Sequence, residues 1–273
     1  MVLTPEQMKH YSEKGYLFLE SAISARILSK LNEEIPTIFA EDSPRRVFEK
    51  DNRTIRSIYA PHFTNKTFDH LKSYSKLLNP AMQILNNEVY VHQYKINVKA
   101  ALAGEMWSWH QDYIFWKQED GIPTSNLINV SIFLDEVNEF NGPLALIPGS
   151  HKYDNIKTAV DDNKLDTREE WTNHLSVDLK YTLDRHLLGK LVDKYGLVAP
   201  KGPAGSILFF HPEIAHASAP NISPFDRKLV ILTYNSIDNL PQKELTRPDF
   251  LASRNFTPLE VYENKEWDVG VVK

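Results

Sequence analysis

The spacing of apolar residues changes along the chain, from a helical period near the start to a period near two after residue 88. Thr4, Pro5 and Gln7 form a helix start: a capping hydroxyl, a proline at the first helical position and an amide three residues past the cap. Met8, Tyr11 and Ser12 follow, and Gly15 stops the helix. YLFLE at 16–20 predicts a short strand. After Ser21, residues Ile23, Ile27, Leu28, Leu31, Ile35 and Ile38 recur at helical spacing, which predicts a helix laid over a sheet. Residues 41–57 are charged and turn-rich, and SYSKLLNPAMQIL predicts helical segments interrupted near Pro80.

In EVYVHQYKINVK, Val89, Val91, Gln93, Lys95 and Asn97 share one parity, and Tyr90, His92, Tyr94, Ile96 and Val98 share the other. Neither set is purely polar. That mixture suits an inner barrel wall carrying ligand contacts, and equally a strand buried on both sides. Further strands are expected at 127–137, 143–149, 205–211 and 228–237, separated by Gly, Pro and Asn turns. Between them the chain becomes charged and helix-prone, which predicts a helix-rich insertion at about 158–196. It is expected to serve as a solvated connector or as a pocket cover, within a single domain spanning 1–273.

The length of 273 residues suits one large domain or two small ones, with enough chain to bury most of its apolar surface. The chain has no cysteine, so disulfides, thiolate metal sites and thiol catalysis are excluded; a protein-held metal must use His, Asp, Glu or backbone oxygen. A net charge of -5 with dispersed basic residues offers no stripe for nucleic acid. No window approaches the length needed to cross a bilayer, and the opening residues lack the apolar core of a signal peptide. The expectation is a cytoplasmic monomer or homodimer acting on a small molecule, with no nucleic-acid or membrane partner. Neither G-x-G-x-x-G nor a phosphate-binding P-loop is present.

Candidate chemistry begins at WSWHQDY, residues 107–113. On a strand, His110 and Asp112 point to the same face and can present a nitrogen and an oxygen to one point. Two ligands do not make an open metal site, and the arrangement of two histidines and one carboxylate that suits non-haem iron needs a second imidazole. FFHPEIAHASAP offers two. His216 follows an apolar strand after a short turn and precedes small residues, whereas His211 sits before Pro212 and serves equally as a packing residue. His216 is preferred and His211 stays open. Arg227, eleven residues beyond His216, enters the apolar stretch KLVILTY. A permanent charge there needs a carboxylate, either a neighbouring acid such as Asp226 or the far end of a bound diacid. A metal triad with a diacid clamp points to Fe(II) with 2-oxoglutarate and O2 as cosubstrates.

The segments WHQDYIFWKQEDGIP, FLDEVNEFNGPLALIPGSHK and HPEIAHASAPNISPFDRKLVILTYN resemble the phytanoyl-CoA dioxygenase superfamily, especially its ectoine hydroxylase-like branch. The resemblance covers most of residues 1–240. It implies an all-β core with flanking helices, specifically a double-stranded β-helix of the cupin-like jelly-roll type. It assigns iron to His110, Asp112 and His216, and the distal carboxylate of 2-oxoglutarate to Arg227. Asn97 and Ser218 match residues near that cosubstrate, and Asn129 stands where the branch usually has serine. Gln93, Trp116 and Phe210 match residues bordering the substrate, although each also suits a structural role: satisfying a backbone group, plugging a barrel or filling the core. His151 is structural in this resemblance. Ile231 lies where ectoine enzymes tend to carry an aromatic. The implied activity is hydroxylation of an unactivated C–H bond in a small polar or zwitterionic molecule, such as a free amino acid or derivative. The alternatives are a secondary-metabolite tailoring oxygenase that hydroxylates, desaturates or cyclises, and a catalytically inactive jelly-roll binding protein.

Overall fold

The computed structural model describes residues 1–153, 158–160 and 179–262. Helix α1 (Pro5–Lys14) starts at the Thr4 capping box and ends at Gly15, whose φ of 76° is left-handed. Strand β1 (Tyr16–Leu19) leads into α2 (Ala25–Ala40), capped by Ser24 and burying Ile27, Leu31, Ile35 and Ile38. Complete burial of Ile27 and Leu31 stabilises by about 2 kcal/mol each. The charged stretch after α2 forms two strands, β2 (Arg46–Phe48) and β3 (Ile55–Tyr59). Helix α3 (Lys66–Leu71) precedes α4 (Ser75–Leu85), which runs unbroken through Pro80. The hydrogen bond lost at this proline is offset by the burial of Leu77, Leu78, Ala81 and Leu85 on one face.

The body of the protein comprises β4 (Val89–Lys99), β5 (Trp107–His110), α5 (Asp112–Glu119), β6 (Leu127–Phe133) and β7 (Leu144–Leu146). It continues with β8 (Thr158–Val160), β9 (Tyr181–Leu183), α6 (Arg185–Tyr195), β10 (Ile207–Phe210), β11 (His216–Ser218) and β12 (Arg227–Ser236). A seven-stranded antiparallel sheet has the order β1-β10-β6-β12-β4-β3-β2, and a three-stranded sheet has the order β5-β11-β7. Strands β8 and β9 pair with each other. Of the insertion expected at about 158–196, residues 161–178 lie outside the described residues; β8, β9 and α6 occupy the rest.

The all-β core with flanking helices is present, but the expected double-stranded β-helix is not. The strands of the small sheet are three or four residues long and form ladders only with one another, β7 adding a single bridge from Leu146 to Val198, while β1 and β2 remain the two edges of the large sheet. With no ladder joining the sheets among the described residues, they do not close into a barrel, and the jelly-roll expectation is corrected accordingly.

Strand β4 departs from simple alternation. Gln93 pairs with Thr233 but Val91 with Tyr234, which leaves His92 as an extra residue in a bulge. The bulge inverts the faces, so Val89 and Val91 join Tyr94, Ile96 and Val98 in the core with α2 and α4, while Gln93, Lys95 and Asn97 line a pocket on the opposite side. The expectation of one continuous parity from Val89 to Asn97 fails at this residue. Among the described residues, no helix is long and apolar enough to cross a membrane.

Candidate metal centre

His110 is the last residue of β5 and His216 the first of β11, and the ladder between these strands sets them directly opposite each other. Their ring centroids are 4.1 Å apart. Asp112 arrives differently from the strand parity expected: Gln111 turns the chain and Asp112 opens α5, where the helix N-terminus favours a negative side chain. His110 Nε2 lies 3.5 Å from Asp112 Oδ1, and His216 Nε2 3.6 Å from Asp112 Oδ2. The three ligand atoms fall within 4.8 Å of one another.

Both imidazoles are oriented in the same way. His110 Nδ1 contacts Ser108 O at 2.7 Å, and His216 Nδ1 contacts Ile214 O at 3.0 Å. A carbonyl only accepts, so each Nδ1 carries the proton and each Nε2 presents a lone pair to the centre. Burial, and then the neighbouring His110, push His216 down to about 4, keeping the imidazole neutral. Burial alone would raise Asp112; His216 and His110 outweigh it and hold the carboxyl well below its ordinary range. Asn129 Nδ2 donates to Asp112 Oδ2 at 2.7 Å, and Thr233 Oγ1 donates to Asn129 Oδ1 at 2.7 Å. The Asn129 amide therefore orients the carboxylate. Two neutral imidazole nitrogens and one carboxylate suit a divalent ion such as Fe(II) with open positions left for other ligands.

His211 is not part of this group. Its Nδ1 accepts the Glu213 backbone N–H at 3.1 Å, and its ring lies 5.0 Å from that of His151. His151 in turn contacts Ser12 O and fills the space that a side chain at Gly15 would need.

All ten residues singled out from the sequence line one pocket between the two sheets. Arg227 is 2% exposed; its Nη2 donates to Gly142 O at 2.8 Å, and among the described residues it has no carboxylate at ion-pair distance. Burial pushes it down to about 9. Gly142 makes this contact possible, since its φ is +73° and a Cβ would lie 2.5 Å from Ala219 O. Nearby Lys99 donates to Glu105 O and Ala219 O, and burial followed by the charge of Arg227 pushes it down to about 6. Arg227 is thus a buried cation at the pocket wall with no carboxylate at ion-pair distance among the described residues, a setting that fits the far carboxylate of a diacid. Gln93 Nε2 donates to Leu251 O at 2.8 Å, so its amide nitrogen satisfies a backbone group while the side chain lines the pocket. Trp116 packs with Tyr113, Ile122 and Leu127, and the Phe210 ring lies 5.4 Å from that of His216.

Tyr59, Lys95 and Arg247 also line the pocket and were not singled out as candidates. Tyr59 ends β3, just beyond the stretch read as turn-rich, and Lys95 shares the face of Gln93 and Asn97, a signal visible in the strand period. Arg247 comes from the loop after β12, with no pattern to announce it. Its Nε and Nη2 donate to the two oxygens of Asp120 at 2.8 and 2.6 Å, and His92 Nε2 donates to Asp120 Oδ2 at 3.0 Å. Burial pushes Asp120 up, but the bonds from His92 and Arg247 outweigh it and hold the carboxyl below its usual range.

The family described as phytanoyl-CoA dioxygenase (PhyH) matches residues 11–229. The chain is 36% identical over 252 residues to an L-proline trans-4-hydroxylase of Streptomyces griseoviridis, covering 91% of this chain and 92% of that protein. It is 32% identical over 258 residues to an ectoine dioxygenase of Halomonas elongata, covering 92% and 76%. Among solved structures, EctD from S. alaskensis with 2-oxoglutarate and 5-hydroxyectoine superposes with a TM-score of 0.79 at 29% identity, covering 95% of this chain and 86% of that one. The same protein with bound Fe gives a TM-score of 0.80.

Proposed function

We propose, from the premise that this chain belongs to the phytanoyl-CoA dioxygenase family, that it hydroxylates a free cyclic amino acid of the L-proline type. It is a non-haem Fe(II)- and 2-oxoglutarate-dependent hydroxylase of a small polar substrate. One observation carries the reading: a donor set of two neutral imidazoles and one carboxylate shares a pocket with a buried guanidinium that has no acid partner among the described residues. The preference for a proline-like substrate rests on the 36% relative, matched over nearly the full length of both chains, and on the aliphatic Ile231 in the pocket wall. We read residues 1–273 as one catalytic domain, because β1 and β12 share the large sheet.

On this reading His110, Asp112 and His216 hold the iron, and Arg227 holds the distal carboxylate of 2-oxoglutarate, with Asn97 and Ser218 beside it. When bound, the iron supplies the redox chemistry that couples 2-oxoglutarate and O2 to succinate, carbon dioxide and one oxygen atom inserted into a C–H bond. Asn129 and Thr233 keep Asp112 in its ligating orientation. Trp116 and Phe210 wall off solvent, and the Gln93 side chain contributes a polar edge for the substrate.

The reading is tested without oxygen, by adding Fe(II) and then 2-oxoglutarate and following the metal-to-ligand charge-transfer absorption. Admission of air with L-proline and related free amino acids should then yield succinate and a product heavier by one oxygen. A folded, metal-loaded protein with no such band contradicts the chelation claim.

A further inference from the structure

Among the described residues three cations line the pocket, and their surroundings differ. Arg247 is already matched by both oxygens of Asp120. Arg227 rests on the Gly142 carbonyl and takes the diacid on the reading above. Lys95 is half-buried, lines the same pocket, and has no hydrogen bond and no carboxylate at ion-pair distance among the described residues, its charge acting on Asp112 only from a distance.

The position of Lys95 is set by register. It stands on β4 between Tyr59 of β3 and Ile231 of β12, with Gln93 and Asn97 two residues away on the same face. Its Nζ lies 5.7 Å from the centroid of the Tyr59 ring and 5.5 Å from that of Trp107. Aromatic faces at these distances attract an ammonium and limit where it can settle, but they supply no hydrogen-bond acceptor strong enough to replace water. Trp107 is itself held, since the Arg56 guanidinium lies 3.7 Å from its ring centroid while pairing with Glu49 at 2.7 Å. Three donors on a compact charge therefore reach into the pocket from a braced position.

We infer that Lys95 anchors a carboxylate of the substrate, so that the enzyme selects the free acid of an amino acid over its amide. The inference rests on the hydroxylase reading and deepens it by naming the group recognised. It also divides the work among the cations: Arg227 serves the cosubstrate, Arg247 with Asp120 forms a neutral part of the wall, and Lys95 supplies the open charge. A neutral carboxamide of the same shape leaves that charge without a counterion, and discrimination against it follows.

The experiment measures equilibrium binding without oxygen, by calorimetry on the full chain loaded with Fe(II) and 2-oxoglutarate. The probes are L-proline and L-prolinamide, extended to other free amino acids and their carboxamides. The wild type should bind the acid about a hundredfold more tightly than the amide, as expected when a charge pair loses one partner. In Lys95→Met the acid should weaken by about the same factor while the amide changes by less than about threefold, and Lys95→Arg should keep most of the preference. Unchanged 2-oxoglutarate binding by Lys95→Met shows that the variant pocket is intact. The inference is overturned if Lys95→Met keeps the preference, if Arg247→Met abolishes it while Lys95→Met does not, or if the wild type shows none although it binds 2-oxoglutarate and turns over substrate. In that last case the hydroxylase reading stands alone. A wild type that binds no 2-oxoglutarate removes the hydroxylase reading and this inference together.

Discussion

Arg227→Met removes a charge that the protein buries at a cost. Burial pushes the guanidinium from 12.5 down to about 9, which corresponds to roughly 5 kcal/mol of unfavourable burial. At pH 7 the group is charged both folded and unfolded, so the protein carries the whole penalty. Against it stands the bond from Nη2 to Gly142 O, a charged donor to a carbonyl, which contributes about 2 kcal/mol. Methionine keeps most of the packing of the stem, and the loss of the rest costs roughly 1 kcal/mol. The ligand-free variant should therefore be more stable than wild type by about 2 kcal/mol, which raises the melting temperature by about 4 °C in a chain of this size.

Cosubstrate should reverse that order. At a concentration a hundred times its Kd, 2-oxoglutarate stabilises the wild type by about 2.7 kcal/mol. Removing the cation proposed to face its distal carboxylate should cost about 3 to 4 kcal/mol of binding, a factor of several hundred. The same concentration then lies below the Kd of the variant and adds less than about 0.3 kcal/mol. Differential scanning calorimetry of Fe(II)-loaded protein under nitrogen, with and without 2-oxoglutarate, reads both effects. The variant should melt higher alone and lower with the cosubstrate. A variant that melts below wild type without ligand refutes the burial argument, and one that keeps the full ligand-induced shift refutes the assignment of Arg227.

His216→Ala should lose retained iron on metal analysis after desalting, whereas His211→Ala should keep it, since only the first of these rings faces Asp112. Gly142→Ala places a Cβ 2.5 Å from Ala219 O at a φ of +73°, and should cost about 2 to 3 kcal/mol in denaturant unfolding while weakening 2-oxoglutarate binding through the displaced Gly142 carbonyl. Burial, and then Lys72, push His62 from 6.5 down to about 4, so the unfolded chain takes up a proton before the folded one does. Stability from this group is complete above 6.5 and lost as pH falls toward 4, by about 1 to 2 kcal/mol after allowance for partial exposure; His62→Phe should remove that share of the slope.

The metal-centre residues were legible because their chemistry is compressed into short segments. The spacing of His110 and Asp112, the pair of later histidines and Arg227 at the mouth of an apolar strand each restrict the possibilities without tertiary information. The reason offered for the first spacing was nevertheless wrong: the chain leaves β5 at His110, and a helix N-terminus delivers Asp112. Residues 41–57 are charged and turn-rich in sequence, yet they hold β2 and the start of β3. Arg45 and Arg56 are buried there, the first on the Ala60 carbonyl and the second between Glu49 and the Trp107 ring. Partners that arrive from other segments cancel the cost of burying such charges, and no local pattern records them. The closed barrel was expected from resemblance, and ladder formation is a long-range property that strand period does not determine.

His92 connects these outcomes. As the extra residue opposite β12, it reverses the faces of β4, and only beyond that reversal do Gln93, Lys95 and Asn97 reach the pocket while Tyr94, Ile96 and Val98 stay in the core. Its own ring donates to Asp120, which sits at the end of α5 and grips Arg247 from the loop after β12. A bulge costs ladder pairing and is kept where the re-aimed side chains repay it. Here it aims the polar edge of the pocket, and through Asp120 it ties α5, the helix that begins with Asp112, to the far wall. Deleting the bulge by removing one residue would turn Gln93, Lys95 and Asn97 away from the metal centre together, so the geometry of the metal site and that of the substrate wall depend on the same inserted residue.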